Sequence, residues 1–243
     1  MAKNFRLYTE EELQINKTIF LNEQQTHYLK NVVKYSIGDN LLCFDNKNGE
    51  FLCQISTINK KNTEIIVKEK TNEFYDCPDI WLLFAPLKKD KTDFVIEKAT
   101  ELGVKKIIPT LTRYTITNNI KTERYIAQAI EASEQCRRTD LPIIESPTPL
   151  QTILQNWDSS RTLFFMDETL ESKTFIEELT NSKTTKSAIL IGPEGGFSTE
   201  ELIILRNLSF AKGATLGPRI LRAETAATSA LSCWQMILGD WRK

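Results

Sequence analysis

The spacing of apolar residues changes near residue 79, and the two patterns predict two domains. Residues 40–44, 50–55 and 63–68 are short runs of β-like character, in which apolar and polar positions tend to alternate. A turn-rich cluster at residues 45–49 separates the first two runs. Short strands at this close spacing predict a small β-barrel or sandwich. The polar residues 69–78 are predicted to form a linker.

Strand and helix patterns alternate after residue 79. The predicted strands are residues 80–85, 104–108 (stopped at Pro109), 163–166, 188–191 and 214–216. Five helices are predicted. The first has Val95, Ala99 and Leu102 on its apolar side and ends at Gly103, and another begins with the capping box Ser198-Thr199-Glu200-Glu201. The other three are residues 123–136, 175–179 and 224–238. Repeated β-α-β units predict an α/β fold with a parallel sheet covered by helices on both faces. Ligands of such sheets bind beyond the carboxyl ends of the strands, which directs attention to the loops there.

Composition narrows the classes of function. The 243 residues are 41% apolar and 26% charged, as in an ordinary globular protein. The five cysteines form no CxxC pair, so we expect reduced thiols rather than a disulfide framework or a zinc site. His27 is the only histidine, which disfavours a histidine metal cluster and any catalytic scheme built on histidine. We therefore expect no metal.

Hydropathy and net charge indicate where the protein is expected to be located and what it could bind. The N-terminal residues contain no apolar signal region, and no stretch approaches the ~20 apolar residues that span a bilayer. We expect a soluble, cytoplasmic protein with no membrane partner. Because the formal net charge is −1, binding to nucleic acid would require Lys and Arg to be gathered on one face.

Two loops that follow predicted strands have unusual residues. The first, IGPEGGFS at residues 191–198, has three glycines that allow the backbone to approach a ligand closely, ahead of a helix start that favours an anionic group. The second, LGPRILRAETA at residues 216–226, places two arginines near a helix start, where they oppose the helix dipole. A tight turn or a solvated helix cap without a ligand is the alternative for each. Neither loop matches the P-loop or the dinucleotide-binding pattern, so a nucleotide-like ligand would need another architecture.

Four ordered motifs resemble those of a known family. They are KTDFVIEKATELGV at residues 91–104, EASEQCRR at 131–138, IGPEGGFSTEE at 191–201 and LGPRILRAETAATSAL at 216–231. Together they resemble the RsmE family of SPOUT methyltransferases, and the last two motifs are the most specific. HYLKNVVK at residues 27–34 resembles a stretch of the family's PUA-like domain but ends in Val-Lys instead of Leu-Arg. TRYT at residues 112–115 also departs from the Ser-Glu-Arg-Ser of many members.

The resemblance implies an architecture and a cofactor. A PUA-like RNA-binding β-barrel at residues 1–72 would precede an α/β-knot (SPOUT) domain at residues 73–243 with a C-terminal trefoil knot. A homodimer is implied, with each site formed partly by the partner chain. S-adenosylmethionine would be bound by three loops, of which the first begins Phe165-Met166-Asp167-Glu168. The expected cofactor-binding residues are Phe165, Met166, Gly192, Pro193, Glu194, Gly195, Gly196, Leu216, Gly217, Ile220, Leu221, Arg222, Glu224 and Thr225.

The reaction implied by the resemblance is methylation of N3 of a specific uridine in 16S ribosomal RNA, the family's m3U1498 position, in the small ribosomal subunit. Loss of the N3 proton leaves negative charge on the flanking carbonyl oxygens, which a guanidinium would stabilise. Arg222 is the first candidate for this role and Arg219 the second. Glu194 and Glu224 are alternative general bases, or they orient cofactor or backbone groups.

Basic residues in both domains are candidates for binding RNA phosphates. They are Lys3, Arg6, Lys30 and Lys34 in the first domain, and Lys88, Lys89, Lys91, Arg113, Arg137 and Arg138 in the second. A solvated charged surface is the alternative for each residue. Two other functions stay open, namely a related methyltransferase acting on transfer RNA or another ribosomal base, and a non-catalytic RNA-binding protein of ribosome assembly.

Overall fold

The computed structural model describes residues 5–59, 62–116, 120–182 and 184–242, and the chain divides into two compact units. The first unit contains residues up to 76 together with Ser133–Leu141, and the second contains residues 77–132 and the chain from residue 142 onward. The long helix that ends at Cys136 therefore contributes its last turn to the first unit. The predicted domain boundary at residues 72 and 73 stays a prediction.

The first unit is built on a five-stranded mixed sheet. Its strands are β1 (Arg6–Tyr8), β2 (Thr18–Leu21), β3 (Asn40–Phe44), β4 (Glu50–Ile58) and β5 (Thr63–Asn72). They lie in the order β1-β3-β4-β5-β2, with β1 parallel to β3 and the other pairs antiparallel. Alternate residues of β3, β4 and β5 point into one apolar core that includes Leu41, Cys43, Cys53, Ile55 and Ile65.

The strands of the first unit extend beyond the sequence prediction. The predicted bounds of β3 are confirmed, whereas β4 and β5 are longer by three and four residues. Residues 69–72 are therefore strand and not linker, because they continue the pairing of β5 with β4 despite their polar, exposed side chains. Strands β1 and β2 were missed, since runs of three and four residues are too short to show a period.

A short helical segment lies between β2 and β3. Helix α1 (Glu23–His27) begins with a capping box formed by Asn22 and Gln25. It continues as a π-helical turn at Tyr28–Val33, and Lys34 ends that turn in the left-handed conformation at φ 60°. The sequence prediction did not include this segment.

The second unit is built on a parallel sheet with helices on both faces. The strands are β6 (Ile80–Phe84), β7 (Lys106–Leu111), β8 (Ile143–Ile144), β9 (Thr148–Pro149), β10 (Thr162–Met166), β11 (Ser187–Ile191) and β12 (Ala211–Ala214). The helices are α2 (Lys89–Glu101), α3 (Thr122–Cys136), α4 (Leu150–Gln155), α5 (Phe175–Thr180), α6 (Thr199–Asn207), α7 (Ala223–Ile237) and a 3-10 turn at Asp240–Arg242. The strand order is β12-β10-β11-β6-β7-β8, with β9 also paired to β7, and every pairing is parallel.

Successive strand residues bury their side chains on opposite faces of this sheet. Leu82 and Phe84 join the core beneath α2, α3, α5 and α7, whereas Leu83 joins the core beneath α4 and α6. Phe164 and Phe165 are divided between the two cores in the same way. Burial on both faces explains why these strands are continuous apolar runs, and it confirms the predicted α/β class.

Two strands of the second unit, β7 and β12, were predicted with the wrong bounds. Strand β7 continues through Pro109, because Pro109 lies between the short partners β8, paired up to Ile107, and β9, paired from Thr110. The last strand is Ala211–Ala214 and not residues 214–216, since Thr215 already leaves the sheet and makes only an isolated bridge with Thr174.

Two further points concern topology and hydropathy. The predicted trefoil knot stays a prediction. In the part of the chain that the structure describes, no helix is both long enough and apolar enough to cross a membrane.

Candidate functional site

Three loops meet around one cavity at the carboxyl ends of β10, β11 and β12. The cavity has a volume of about 650 Å³, within the range of small-molecule sites. The lining residues are Lys91, Met166, Asp167, Glu168, Leu170, Ile191, Gly192, Pro193, Glu194, Gly195, Gly196, Ala214, Leu216, Arg219, Ile220, Leu221, Arg222, Ala223 and Ala226. Ligands of parallel α/β sheets commonly bind at this position, beyond the carboxyl ends of the strands.

The loop after β11 turns tightly against the loop after β10. The Gly196 N–H donates to the Pro193 carbonyl at 3.0 Å, and Gly196 has a φ of +71°. A Cβ atom at Gly196 would overlap Oε1 of Glu168, so alanine here would displace that carboxylate in addition to adopting a strained φ. The same Glu168 oxygen accepts a hydrogen bond from the Phe197 N–H at 3.0 Å. Glu168 therefore joins two of the three loops.

A buried carboxylate organises the loop after β10. The Asp167 carboxylate accepts hydrogen bonds from the Thr169 N–H and hydroxyl, from the Ser172 hydroxyl at 2.7 Å and from Arg206 at 3.0 Å. Burial by itself raises the pKa of Asp167, but these hydrogen bonds outweigh burial and hold the pKa below its ordinary value of 3.8. Asp167 is thus ionised at neutral pH and fixes the loop from inside.

The loop after β12 leads into α7 and exposes two arginines. Gly217 has a φ of +108°, a conformation that L-residues other than glycine rarely adopt. Arg222 caps α7 through its backbone, since its carbonyl accepts the Ala226 N–H at 2.8 Å. The side chains of Arg219, Ile220 and Arg222 are exposed, and all three line the cavity.

Charged groups face one another across the cavity. Lys91, in the first turn of α2, forms an ion pair with Glu194 and lies 3.8 Å from Glu224. The hydrogen bond and charge of Lys91, with Lys88 and Arg222 contributing less, hold the pKa of Glu194 below its ordinary value. Oε2 of Glu224 is buried and has no hydrogen-bond partner in the described part of the chain.

Most of the residues predicted to bind the cofactor lie together. Met166, Leu216 and Leu221, all of residues 192–196, and both candidate arginines line the cavity. Phe165 lies on the opposite face of the sheet, where its ring packs edge-on against Phe197. Strand alternation explains this displacement, because consecutive residues of β10 point to opposite faces. Gly217, Glu224 and Thr225 adjoin lining residues without lining the cavity themselves.

Some lining residues were not predicted. Lys91 had been assigned to the RNA surface, although its place just after β6, the neighbour of β11 in the sheet, was a signal for the cavity. Leu170 adopts a φ of +61°, and neither that conformation nor the small Ala214 and Ala226 has a distinctive sequence signal.

Two of the predicted RNA-binding arginines have other roles. Arg6 is 6% exposed, pairs with Glu50, donates to the carbonyls of Ser133 and Arg138, and lies over the Phe44 ring. Arg138 is 8% exposed and forms a two-pronged ion pair with Asp140. Since their guanidinium groups are used inside the first unit, neither is available to phosphate, and both are withdrawn from the predicted RNA surface.

The other basic candidates differ in accessibility. Lys34, Lys88, Arg113 and Arg137 are exposed, and Lys30 is half-buried. Lys3 and the side chain of Lys89 lie outside the described residues. Among the described residues, no group of three or more His, Cys, Asp or Glu side chains is placed to hold a metal ion.

Family comparisons define the class to which this fold and cavity belong. Residues 75–235 match the family described as an RNA methyltransferase domain, and residues 21–68 match the RNA methyltransferase PUA domain. The first match covers more than half of the chain. The chain is therefore an RNA methyltransferase-family protein with a PUA domain.

Relatives of full length narrow the assignment. "Ribosomal RNA small subunit methyltransferase E" of Rickettsia conorii is 35% identical over 228 residues, which cover 93% of each chain. The Bacillus subtilis protein of the same name is 29% identical and covers 96% of this chain and 95% of its own. The chain thus belongs to the ribosomal RNA small subunit methyltransferase E family, and the predicted resemblance is confirmed.

Solved structures agree with this family. A methyltransferase from Legionella pneumophila, in complex with the bound cofactor SAM, is 29% identical with a TM-score of 0.89, covering 98% of this chain and 99% of that one. The methyltransferase E of Neisseria gonorrhoeae, bound to S-adenosyl methionine, is 26% identical with a TM-score of 0.88 and the same coverage.

Proposed function

We propose that this protein transfers a methyl group from S-adenosylmethionine to N3 of a uridine in the 16S ribosomal RNA of the small subunit. Its family supports S-adenosylmethionine-dependent methylation of ribosomal RNA. One structural observation carries the proposal to particular residues: the two most specific sequence motifs, which follow two strands separated by β10 in the sheet, line a single cavity. The particular uridine, the family's m3U1498 position, is part of the proposal.

The cavity fits S-adenosylmethionine in shape and charge. Met166, Ile191, Leu216 and Leu221 provide apolar surface for an adenine ring, and the glycine loop at residues 192–196 gives backbone access. The carboxylates of Glu168 and Glu194 lie in the same lining and suit a ligand with a sulfonium and an ammonium charge. When bound there, S-adenosylmethionine supplies an electrophilic methyl group.

Arg222 has the position expected of a residue that stabilises the uracil anion. Uracil N3 becomes nucleophilic only after it loses its proton, and the charge then spreads onto the flanking carbonyl oxygens. The exposed guanidinium of Arg222 lies at the cavity and at the N-terminus of α7. It can donate to such an oxygen without first breaking a side-chain hydrogen bond to another described residue. Arg219 is exposed in the same lining and is the second donor.

The two glutamates are suited to different roles. The ion pair with Lys91 lowers the pKa of Glu194, which makes it a weaker base than an ordinary glutamate. Glu224 has a buried oxygen with no hydrogen-bond partner among the described residues. We therefore assign acceptance of the N3 proton to Glu224, and we assign to Glu194 the positioning of Lys91 and of the glycine loop.

The proposed functional unit includes both domains and a second copy of the chain. We place RNA binding in residues 1–72 and methyl transfer in residues 73–243, with exposed Lys34, Arg113 and Arg137 contacting phosphates. A homodimer is supported by exposed apolar side chains in the second unit, among them Ile220 at 75% and Met236 at 63%. Because small ribosomal subunits are assembled in the cytoplasm, we place the reaction there.

Methylation of defined RNA substrates tests this function. Isolated small subunits from cells without this enzyme, and transfer RNA as the comparison, are incubated with the protein and isotope-labelled S-adenosylmethionine. Nucleoside mass spectrometry should find labelled N3-methyluridine in 16S RNA only. A label on a ribose, on another base or in transfer RNA would identify a different methyltransferase. RNA binding without S-adenosylmethionine binding would indicate a non-catalytic assembly protein.

A further inference from the structure

An exposed aromatic side chain lies beside a glycine that lines the cavity. Tyr114 is 48% exposed and follows β7, whose carboxyl end lies on the same side of the parallel sheet as the cavity. A Cβ atom built at Gly195 would lie 3.5 Å from Cβ and 3.8 Å from Cγ of Tyr114. Gly195 lines the cavity, so the base of the Tyr114 side chain packs against the cavity wall.

Hydrogen bonds hold the loop that presents Tyr114. The Thr112 N–H donates to the Thr115 hydroxyl at 2.9 Å, and the Thr115 N–H donates to the Thr112 carbonyl at 3.2 Å. The Arg113 N–H donates to Oε1 of Glu201 at 2.9 Å, which attaches the loop to the first turn of α6. These backbone hydrogen bonds therefore fix the position from which the Tyr114 side chain extends.

Other aromatic side chains near the cavity are not available to a ligand. None of the lining residues in the described part of the chain is aromatic. The ring of Phe197 lies close to Gly192, but it is 5% exposed and packs against Phe165. Tyr114 thus offers an accessible ring beside the glycine loop.

The substrate chemistry calls for such a ring. An enzyme that modifies N3 must act on a base that has left its pair and its stack, and such enzymes hold the base by stacking and by edge contacts. Aromatic side chains are the usual stacking partners of unpaired bases. A stacked ring leaves the Watson–Crick edge free, and N3 of uracil lies on that edge.

We propose that Tyr114 stacks on the pyrimidine ring of the target uridine at the mouth of the cavity and so positions N3 for methylation. This inference rests on the proposed function. Stacking depends on the ring, so the hydroxyl of Tyr114 is dispensable.

Substitutions of Tyr114 test the inference. Base–aromatic stacking contributes about 1–3 kcal/mol per base, so Tyr114→Leu should lower kcat/KM for small subunits by about 5- to 150-fold, mainly through a higher KM. Tyr114→Phe should stay within about threefold of wild type, because the ring is retained. Calorimetric affinity for S-adenosylmethionine should change less than about twofold in both variants. Phe94→Leu is the matched control, since Phe94 is a 41% exposed aromatic residue of α2 whose ring faces Lys98 of the same helix.

The outcomes separate this inference from the proposed function. If wild type methylates uridine and Tyr114→Leu is as active, or Phe94→Leu loses as much, stacking by Tyr114 is wrong and the proposed function stands. If Tyr114→Leu also loses S-adenosylmethionine affinity, Tyr114 supports the glycine loop instead of the base. If wild type transfers no methyl group to uridine, the proposed function fails and this inference fails with it.

Discussion

At the residue scale, the chemistry depends on charged side chains whose surroundings differ although they lie near one cavity. Arg219 and Arg222 are exposed, and Glu194 forms an ion pair with Lys91. Glu224 has a buried oxygen without a hydrogen-bond partner among the described residues. Perturbed and unpartnered groups of this kind are expected where a protein handles charge during a reaction. Each residue can therefore be tested separately.

Arg222→Ala should abolish methyl transfer and leave S-adenosylmethionine affinity within about tenfold of wild type. We assign the guanidinium to the charge that develops on uracil, and we assign cofactor binding to the glycine-loop backbone and the apolar lining. Single-turnover methylation and calorimetry measure the two effects. Arg242→Ala is the control, because Arg242 is an exposed arginine outside the cavity lining. Unchanged turnover in Arg222→Ala would remove Arg222 from the mechanism.

The two glutamates should respond differently to loss of charge. Glu224→Gln should lower kcat by about 10²- to 10⁴-fold, the usual effect of losing a general base. Glu194→Gln should lower it by less than about tenfold, because the pKa of Glu194 is already held low by Lys91. Turnover at saturating substrates distinguishes the two variants. A larger loss in Glu194→Gln than in Glu224→Gln would reverse the assignment.

At the element scale, the cavity depends on loops that lock one another. Gly196→Ala places a methyl group where the Glu168 carboxylate lies and forces a left-handed backbone on alanine. We expect it to cost about 1–3 kcal/mol of unfolding free energy and to weaken S-adenosylmethionine binding at least about tenfold. Denaturant unfolding and calorimetry measure the two quantities.

Gly38→Ala is the matched control for Gly196→Ala. Gly38 has a φ of +90°, but a Cβ atom there meets nothing within 4 Å, and Gly38 belongs to the first unit. Gly38→Ala should lower the unfolding free energy only by the cost of backbone strain, about 1 kcal/mol, and leave S-adenosylmethionine affinity unchanged. Equal affinities for Gly196→Ala and wild type would show that the Glu168 contact does not shape the site.

The Asp167 loop should lose stability in acid. A carboxyl group with a lowered pKa in the folded state stabilises the fold fully above its ordinary pKa, 3.8 for Asp167, and this contribution is lost as pH falls through the folded value. Asp167→Asn should therefore be less stable than wild type by about 1–3 kcal/mol at pH 7, and the difference should shrink below pH 4. Unfolding free energy measured from pH 7 to pH 3 tests this.

Asp158→Asn controls for the loss of a carboxylate alone, since Asp158 is exposed and accepts hydrogen bonds from the N–H and hydroxyl of Ser160, two residues away. It should have little effect on the unfolding free energy at pH 7. A difference between wild type and Asp167→Asn that is constant with pH would contradict the role of ionised Asp167.

The sequence predicted the elements better than their ends. Hydrophobic period located most strands and helices of the second unit, because burial on both faces leaves long apolar runs, but it missed the short β8, β9 and α4. It failed at Pro109, whose missing N–H is tolerated between two short partner strands, and at β12, which consists of Ala-Lys-Gly-Ala and has little apolar pattern. Pairing with neighbouring strands decides whether such positions belong to a strand, and the sequence of one strand does not show its pairing.

At the scale of the whole molecule, the two most specific motifs predicted the cavity because each follows a strand of one parallel sheet. Phe165 shows the limit of this reasoning, since a motif gives the segment but not the face on which a side chain lies. Arg6 and Arg138 show a second limit, because a basic residue can be held inside the fold, Arg6 by a carboxylate and carbonyls that are distant in sequence and Arg138 by the nearby Asp140. The sequence marked TRYT at residues 112–115 only as a departure from the family pattern, because the contact of Tyr114 with Gly195 joins residues that are far apart in the chain.

The central claim is that the loops after β10, β11 and β12 form one binding site for S-adenosylmethionine. A crystal structure of the protein grown with S-adenosylmethionine tests this most directly. We predict density for the ligand within the cavity, against the glycine loop at residues 192–196 and the segment at residues 216–222, with its methyl group on the side of Arg222. Ligand density at another place, or a cavity that stays empty at saturating S-adenosylmethionine, would contradict the account.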